Sequence, residues 1–150
     1  MSTLVLELRQ GDLLLVNGAP LRFRNRARVE LCGQARFLFG KQVMPVEEAV
    51  TPARQIYYAL QTAYVGREEE RAAGLSLARL LISEAGASFP AGPAGLLRAA
   101  LEAAERDQCY QALRLVRRVI QHEDALAEPA PEASAPPGIG AVAGVSRAAS

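Results

Sequence analysis

Along the first 45 residues, apolar and polar positions alternate with a period of two. Leu4, Leu6 and Leu8 share one parity, with Val5 and Glu7 between them, and Gln10-Gly11-Asp12 supplies a turn. Leu13 to Val16 is a short apolar run closed by Asn17-Gly18, the strongest two-residue hairpin signal. Leu21 and Phe23 alternate with Arg22 and Arg24, and Ala27, Val29 and Leu31 alternate with Arg28 and Glu30. Gly33 interrupts the pattern, and Ala35, Phe37 and Phe39 resume it before Gly40. At Asn25, a loop of odd length would pair Phe23 with Val29 and Arg24 with Arg28, keeping apolar residues on one face. The expectation is a hairpin that buries Leu21, Phe23, Val29 and Leu31 and turns its arginines to solvent.

After Met44-Pro45 the period lengthens to that of a helix. Thr51 is a cap, Pro52 fits a first turn, and Ile56, Ala59, Leu60 and Ala63 recur at helical spacing up to Gly66. Glu68-Glu69-Glu70 opens a second helix at the positive end of its dipole, with Leu77, Leu80 and Leu81 as its apolar face up to about Glu84. Phe89 to Pro93 is a loop, and a third helix carries Leu97, Ala100, Leu101 and Ala104. Asp107 is the expected cap of a fourth, whose stripe runs through Cys109, Ala112, Leu113, Val116, Val119 and Ile120. The pattern predicts an α+β protein: a small antiparallel β-sandwich or partial barrel over 1–45, then a bundle of about four helices over 46–127. Residues 128–150 are rich in Pro, Ala and Gly and predict a disordered tail.

Composition narrows the function classes. No apolar run reaches the roughly 18 residues of a membrane span, and the N-terminus lacks signal-peptide features, so a cytoplasmic protein without membrane contact is expected. Net charge is only +1, but it is unevenly spread. Residues 1–45 hold seven basic groups (Arg9, Arg22, Arg24, Arg26, Arg28, Arg36, Lys41) against three acids (Glu7, Asp12, Glu30). Every basic residue except Lys41 is arginine. A guanidinium grips phosphate in a fork and stacks on bases, although an arginine bias also follows from a GC-rich genome. Cys32 and Cys109 read as buried thiols in a chain without Cys-x-x-Cys and with His122 as its only histidine, so neither metal nor cofactor is expected.

Catalysis finds little support. His122 stands beside Glu123 and Asp124 with no nucleophile placed by sequence, and no phosphate-cradling Gly-Lys-Ser or Gly-Lys-Thr loop occurs, so no enzyme is expected. The candidate RNA contacts are Arg22, Arg24 and Arg28 on one hairpin face, Arg26 in its loop, and Arg114, Arg117 and Arg118 on the last helix. Each patch also reads as an ordinary solvated face. Tyr57, Tyr58, Tyr64 and Tyr110 are candidate anchors for a protein partner. Neither an RNP-type aromatic motif nor a Gly-x-x-Gly clamp is present.

Three segments carry a resemblance. Leu4 to Arg22 (LVLELRQGDLLLVNGAPLR), Thr51 to Val65 (TPARQIYYALQTAYV) and Arg106 to Leu126, with its Tyr110-x-Ala112-Leu113 motif, are similar in order and spacing to the FlbT family over about residues 3–127. Phe37 to Met44 departs from it, standing where the family usually has a more charged segment. The resemblance implies a regulator of flagellin synthesis that acts after transcription. Such a regulator associates with the 5′ untranslated leader of flagellin mRNA, lowers translation and promotes decay, and acts alongside FlaF; no DNA contact is implied. The alternative is an adaptor that binds flagellin or FlaF through its helices and reaches RNA only indirectly.

Overall fold

The computed structural model describes residues 4–127, and in it five short strands precede four helices. The strands are β1 (Leu4–Leu8), β2 (Leu13–Val16), β3 (Ala19–Arg22), β4 (Ala27–Leu31) and β5 (Phe37–Phe39). The helices are α1 (Pro52–Val65), α2 (Glu68–Ala85), α3 (Ala91–Glu105) and α4 (Cys109–Ala127). This is the expected α+β order, with the strands in two small antiparallel sheets. The Pro/Ala/Gly-rich tail lies outside the described residues.

Asn17-Gly18 closes the β2–β3 hairpin as its sequence requires. Both residues have positive φ, 49° and 87°, the primed turn that matches strand twist. Gly18 is constrained twice, because a β-carbon there would stand 2.7 Å from Arg67 Cγ and 2.9 Å from the Arg67 backbone.

The expected hairpin across Asn25 does not form. β4 pairs with β1 (Leu6↔Val29, Glu7↔Arg28), while β3 belongs to a second sheet of order β3-β2-β5. Arg28 therefore faces Glu7, with Nε 3.6 Å from the carboxylate, instead of Arg24. An opposite-charge cross-strand pair replaces a like-charge one, which favours this register by a few tenths to about 1 kcal/mol. Phe23 extends the β2–β3 ladder through paired bonds to Gly11 and Asp12, and the chain then crosses to the other sheet. Val29, Leu31 and Phe23 are half-buried as expected in kind, but Leu21 is exposed.

In the three-stranded sheet, β2 and β5 have both faces covered, while β3 is exposed along its length. Leu14, Val16, Phe37 and Phe39 join Leu6 and Leu8 in a small core between the sheets, whereas Leu15 and Leu38, of opposite parity, pack into the helical core. The stretch from Phe37 to Met44, with Lys41 as its one charge, is thus the seam that seats the strands on the helices.

α1 is the centre of the helical layer, with Ala53, Ile56, Tyr57, Ala59, Leu60, Gln61, Ala63 and Val65 all buried. Thr51 Oγ1 caps it by accepting the Arg54 N–H at 3.3 Å. Its other end is closed from the strand region: Arg36 Nε donates to the Tyr64 carbonyl (2.7 Å) and a second guanidinium nitrogen to that of Ala63 (3.4 Å). A cation there complements the negative end of the helix.

Of the expected α2 face only Leu81 packs against the core, and smaller residues make up most of the buried face. Gly74, Ala78 and Ile82 face inward, while Leu77 and Leu80 are 47% and 53% exposed. A β-carbon at Gly74 would lie 2.8 Å from Ala63 N and 2.9 Å from Ala59 O, so the α1–α2 crossing selects small residues over leucines. Asp107 does not cap α4 but ends α3, at a left-handed φ of 62°. The Asp107 and Gln108 N–H groups return to the Ala104 and Ala103 carbonyls, the paired bonds of a Schellman turn. Cys109 is buried as expected, but Cys32, just past the end of β4, is exposed. Up to Ile120 the described chain forms one compact unit, and the α4 residues beyond it belong to a second.

Gly74→Ala tests the helix crossing. Alanine in an open helix position stabilises by up to about 1 kcal/mol, yet here overpacking against backbone should cost about 1–3 kcal/mol in urea unfolding. Gly92→Ala on α3, where a β-carbon meets open space, should leave stability unchanged or slightly raised.

Candidate functional site

The segment that links strands to helices is clamped onto one face of α1. Gln61, 5% exposed, accepts the Met44 N–H at Oε1 (2.8 Å) and donates from Nε2 to the Met44 carbonyl (3.0 Å). One turn earlier, the Tyr57 hydroxyl donates to the Gln42 carbonyl at 2.6 Å. The chain at 42–44 therefore lies against α1 by hydrogen bonds to side chains, much as a strand lies against its neighbour.

This clamp brings α4 into the arrangement. One guanidinium nitrogen of Arg117 donates to the Tyr57 hydroxyl (2.8 Å) and to the Lys41 carbonyl (3.0 Å), and the guanidinium carbon stands 5.0 Å from the Tyr57 ring centroid. Lys41, Arg114 and Arg117 consequently line one cleft of about 320 Å³, floored by Leu38 and Leu113, and among the described residues no carboxylate lines it.

Gln42 and Tyr110 form the wall between this cleft and a second, apolar slot of about 420 Å³. Gln42 Nε2 donates to the Tyr110 hydroxyl (3.1 Å), and its Oε1 accepts the Phe39 N–H (3.1 Å). Phe37, Phe39, Tyr64, buried Leu6 and the exposed residues Leu4 and Val5 complete the slot. The Phe37 and Phe39 rings stack at 6.5 Å, and Tyr64 and Tyr110 meet at 6.1 Å with a 48° tilt.

The candidate RNA residues separate into distinct settings. Arg22, Arg24, Arg26 and Arg28 are all exposed. Arg22 donates to the Gly11 carbonyl at 3.0 Å and Arg28 pairs with Glu7, while Arg24 and Arg26 meet no carboxylate among the described residues. On α4, Arg114 and Arg118 are exposed, whereas Arg117 is half-buried and pinned rather than part of an open helix face. Of the four tyrosines, Tyr57 is core, 1% exposed, and so is unavailable as a surface anchor. Its place on the inward face of α1 overrides its interface propensity. Tyr58 and Tyr64 are half-buried, and Tyr110 is 42% exposed.

Lys41, Gln42 and Gln61 are the site residues that the sequence reading passed over. Gln61 stands one turn after Tyr57, and Tyr57 apart the other buried residues of α1 are Ala, Ile, Leu and Val, so an amide among them needs partners. Burial raises the Tyr57 hydroxyl above the ordinary tyrosine pKa of 10.0 despite the Arg117 guanidinium, and burial also raises Tyr64 against the opposing Phe37 amide and Arg36. Among the described residues no group of three His, Cys, Asp or Glu is placed to hold a metal ion, and no helix is long and apolar enough to cross a membrane.

With this geometry in view, the comparisons with known proteins are specific. The FlbT family, described as "Flagellar protein FlbT", matches residues 4–127. Similar proteins include the probable flagellum biosynthesis repressor proteins FlbT of Brucella ovis and Brucella suis, each 30% identical over 112 residues, or 75% of this chain and 74% of theirs. The protein of the same description from Brucella anthropi is 29% identical over the same length. No solved structure matches.

Tyr57→Phe tests the clamp. Removing the hydroxyl leaves the Gln42 carbonyl without its donor, and chemical unfolding should show a loss of about 1–2 kcal/mol. A raised native tyrosine pKa contributes stability that is complete below the unfolded value and falls as pH rises past it. Stability of the parent should therefore decline as pH climbs above 10.0. That decline should be shallower in Tyr57→Phe, as followed by unfolding at matched ionic strength.

Proposed function

Because the chain belongs to the FlbT family of flagellar proteins, we propose that it is a repressor of flagellum biosynthesis that acts after transcription. It associates with the 5′ untranslated leader of flagellin mRNA, lowers its translation and promotes its decay. No catalytic step belongs to this reading; decay is the work of a nuclease recruited or unmasked on the message.

The observation that carries the RNA contact is the exposed arginine run from Arg22 to Arg28, in which Arg24 and Arg26 meet no carboxylate among the described residues. Guanidinium groups held on a short loop between two sheets suit the backbone of a single strand, where phosphate contacts supply affinity without fixing sequence. The tally of seven basic groups against three acids over residues 1–45 supports the same surface.

A second reading has its own observation. Leu77 and Leu80 stand exposed on α2, an apolar pair suited to an adaptor that binds flagellin or FlaF through its helices.

Titration of the purified chain against a flagellin leader RNA and a composition-matched scramble separates the two readings. Preferential leader binding should weaken with salt at a log–log slope of roughly −2 to −3 if three or four phosphates are neutralised. Arg24→Glu combined with Arg26→Glu should reduce affinity at least tenfold with the circular dichroism spectrum unchanged. Binding indifferent to salt and to both reversals would move the function to the helical surface.

A further inference from the structure

We propose that the basic cleft and the apolar slot together bind one nucleotide of a single-stranded RNA. The base lies in the slot and the flanking phosphate among Lys41, Arg114 and Arg117. The proposal rests on the RNA reading above and names a site for it separate from the arginine run at 22–28.

The cleft is rich in positive charge. Lys41 from the turn after β5 and Arg114 and Arg117 from α4 line one cleft of about 320 Å³ that has no carboxylate in its walls among the described residues. Convergent cations repel one another, and a bound phosphate relieves that repulsion. Arg117 is already fixed, since one nitrogen serves both the Tyr57 hydroxyl and the Lys41 carbonyl and the guanidinium stacks on the Tyr57 ring. A guanidinium carries five N–H donors, so the rest of the fork remains for an anion, and its ordering cost is met before the ligand arrives.

The slot beside the cleft has the shape and aromatic walls to hold a base. The adjoining slot, about 420 Å³, is walled by Phe37, Phe39, Tyr64 and Tyr110, and shares Gln42 and Tyr110 with the cleft. Planar bases stack on such rings with little regard to sequence, which is how single-stranded nucleic acid is held outside dedicated recognition motifs. An acidic peptide would satisfy the cations but would leave the aromatic walls without a planar partner. Gln42 completes the site. Its amide is oriented by bonds to Tyr110 and to the Phe39 N–H, and its second amide hydrogen is left to meet a base edge or a ribose hydroxyl.

The test is a salt-resolved anisotropy titration of flagellin leader RNA, with an acidic peptide of equal charge as competitor. It is run on the parent chain, Tyr110→Ala, Tyr110→Phe, Arg114→Glu and the Arg24→Glu/Arg26→Glu pair. Loss of one stacked base should weaken Tyr110→Ala roughly tenfold while Tyr110→Phe stays close to the parent. Arg114→Glu should lose affinity and flatten the salt slope by about 0.7 for one phosphate. Cross-linking of 4-thiouridine-substituted leader RNA should mark Tyr110, Phe37 or Phe39. Leader binding that is unchanged in Tyr110→Ala and Arg114→Glu but lost in the 24/26 pair overturns this site and leaves the RNA reading standing. Absence of RNA binding by the parent chain overturns both. Displacement of RNA by the acidic peptide, with the same dependence on Arg114 and none on Tyr110, overturns the nucleotide assignment in favour of a peptide.

Discussion

The amide of Gln61 accepts from the N–H of Met44 and donates to its carbonyl, from a position on α1 that water barely reaches. Leaving those two backbone groups without partners would cost on the order of 1–3 kcal/mol each. The constraint runs outward from there. With Met44 held and the Gln42 carbonyl taken by Tyr57, the linker lies flat along α1. Lys41 then meets Arg117, Gln42 meets Tyr110, and Leu38 enters the helical core. Two cavities of opposite character share a wall because this short stretch of chain is fixed.

The same economy appears at the ends of α1. Arg36 takes up the Ala63 and Tyr64 carbonyls and stands 3.5 Å from Asp107, itself the left-handed residue that ends α3. One guanidinium thus ties the segment before β5 to the closing turn of α1 and to the α3–α4 junction. Arg36 and Arg117 each stack near a tyrosine ring, at 5.3 and 5.0 Å to the centroid. Neither is a free surface charge. The arginines of this chain therefore stand in two settings, with half-buried guanidiniums such as Arg36 and Arg117 as structural ties and others, such as Arg24 and Arg26, exposed to solvent.

Local signals were legible wherever one residue type answers one backbone requirement. Asn17-Gly18, the Thr51-Pro52 helix start and the Gly66 stop all stand where the sequence places them. Pairings that depend on distant segments were not. Alternation at 21–31 is satisfied equally by a hairpin across Asn25 or by β4 joining β1, and only the partner strand, with Glu7 opposite Arg28, decides. On α2 the leucine stripe suggested a core face, but the close approach of α1 at Gly74 placed the small residues inward. Tyr57 looked like an anchor because tyrosine is amphipathic, and its hydroxyl instead serves the linker. The cleft escaped the sequence reading because Lys41 and Arg117 are far apart in the chain and are joined only through a clamp made by α1.

Amide-resolved hydrogen exchange of the linker, measured with and without flagellin leader RNA, probes the clamp most directly. If Gln61 holds the chain as described, the Met44 amide exchanges as slowly as the interior of α1 although it lies outside any helix or strand. Leader RNA would then add protection at Lys41 and Gln42. A Met44 amide that exchanges at the rate of an unstructured chain, or RNA binding that leaves the linker's exchange unaltered, would contradict it.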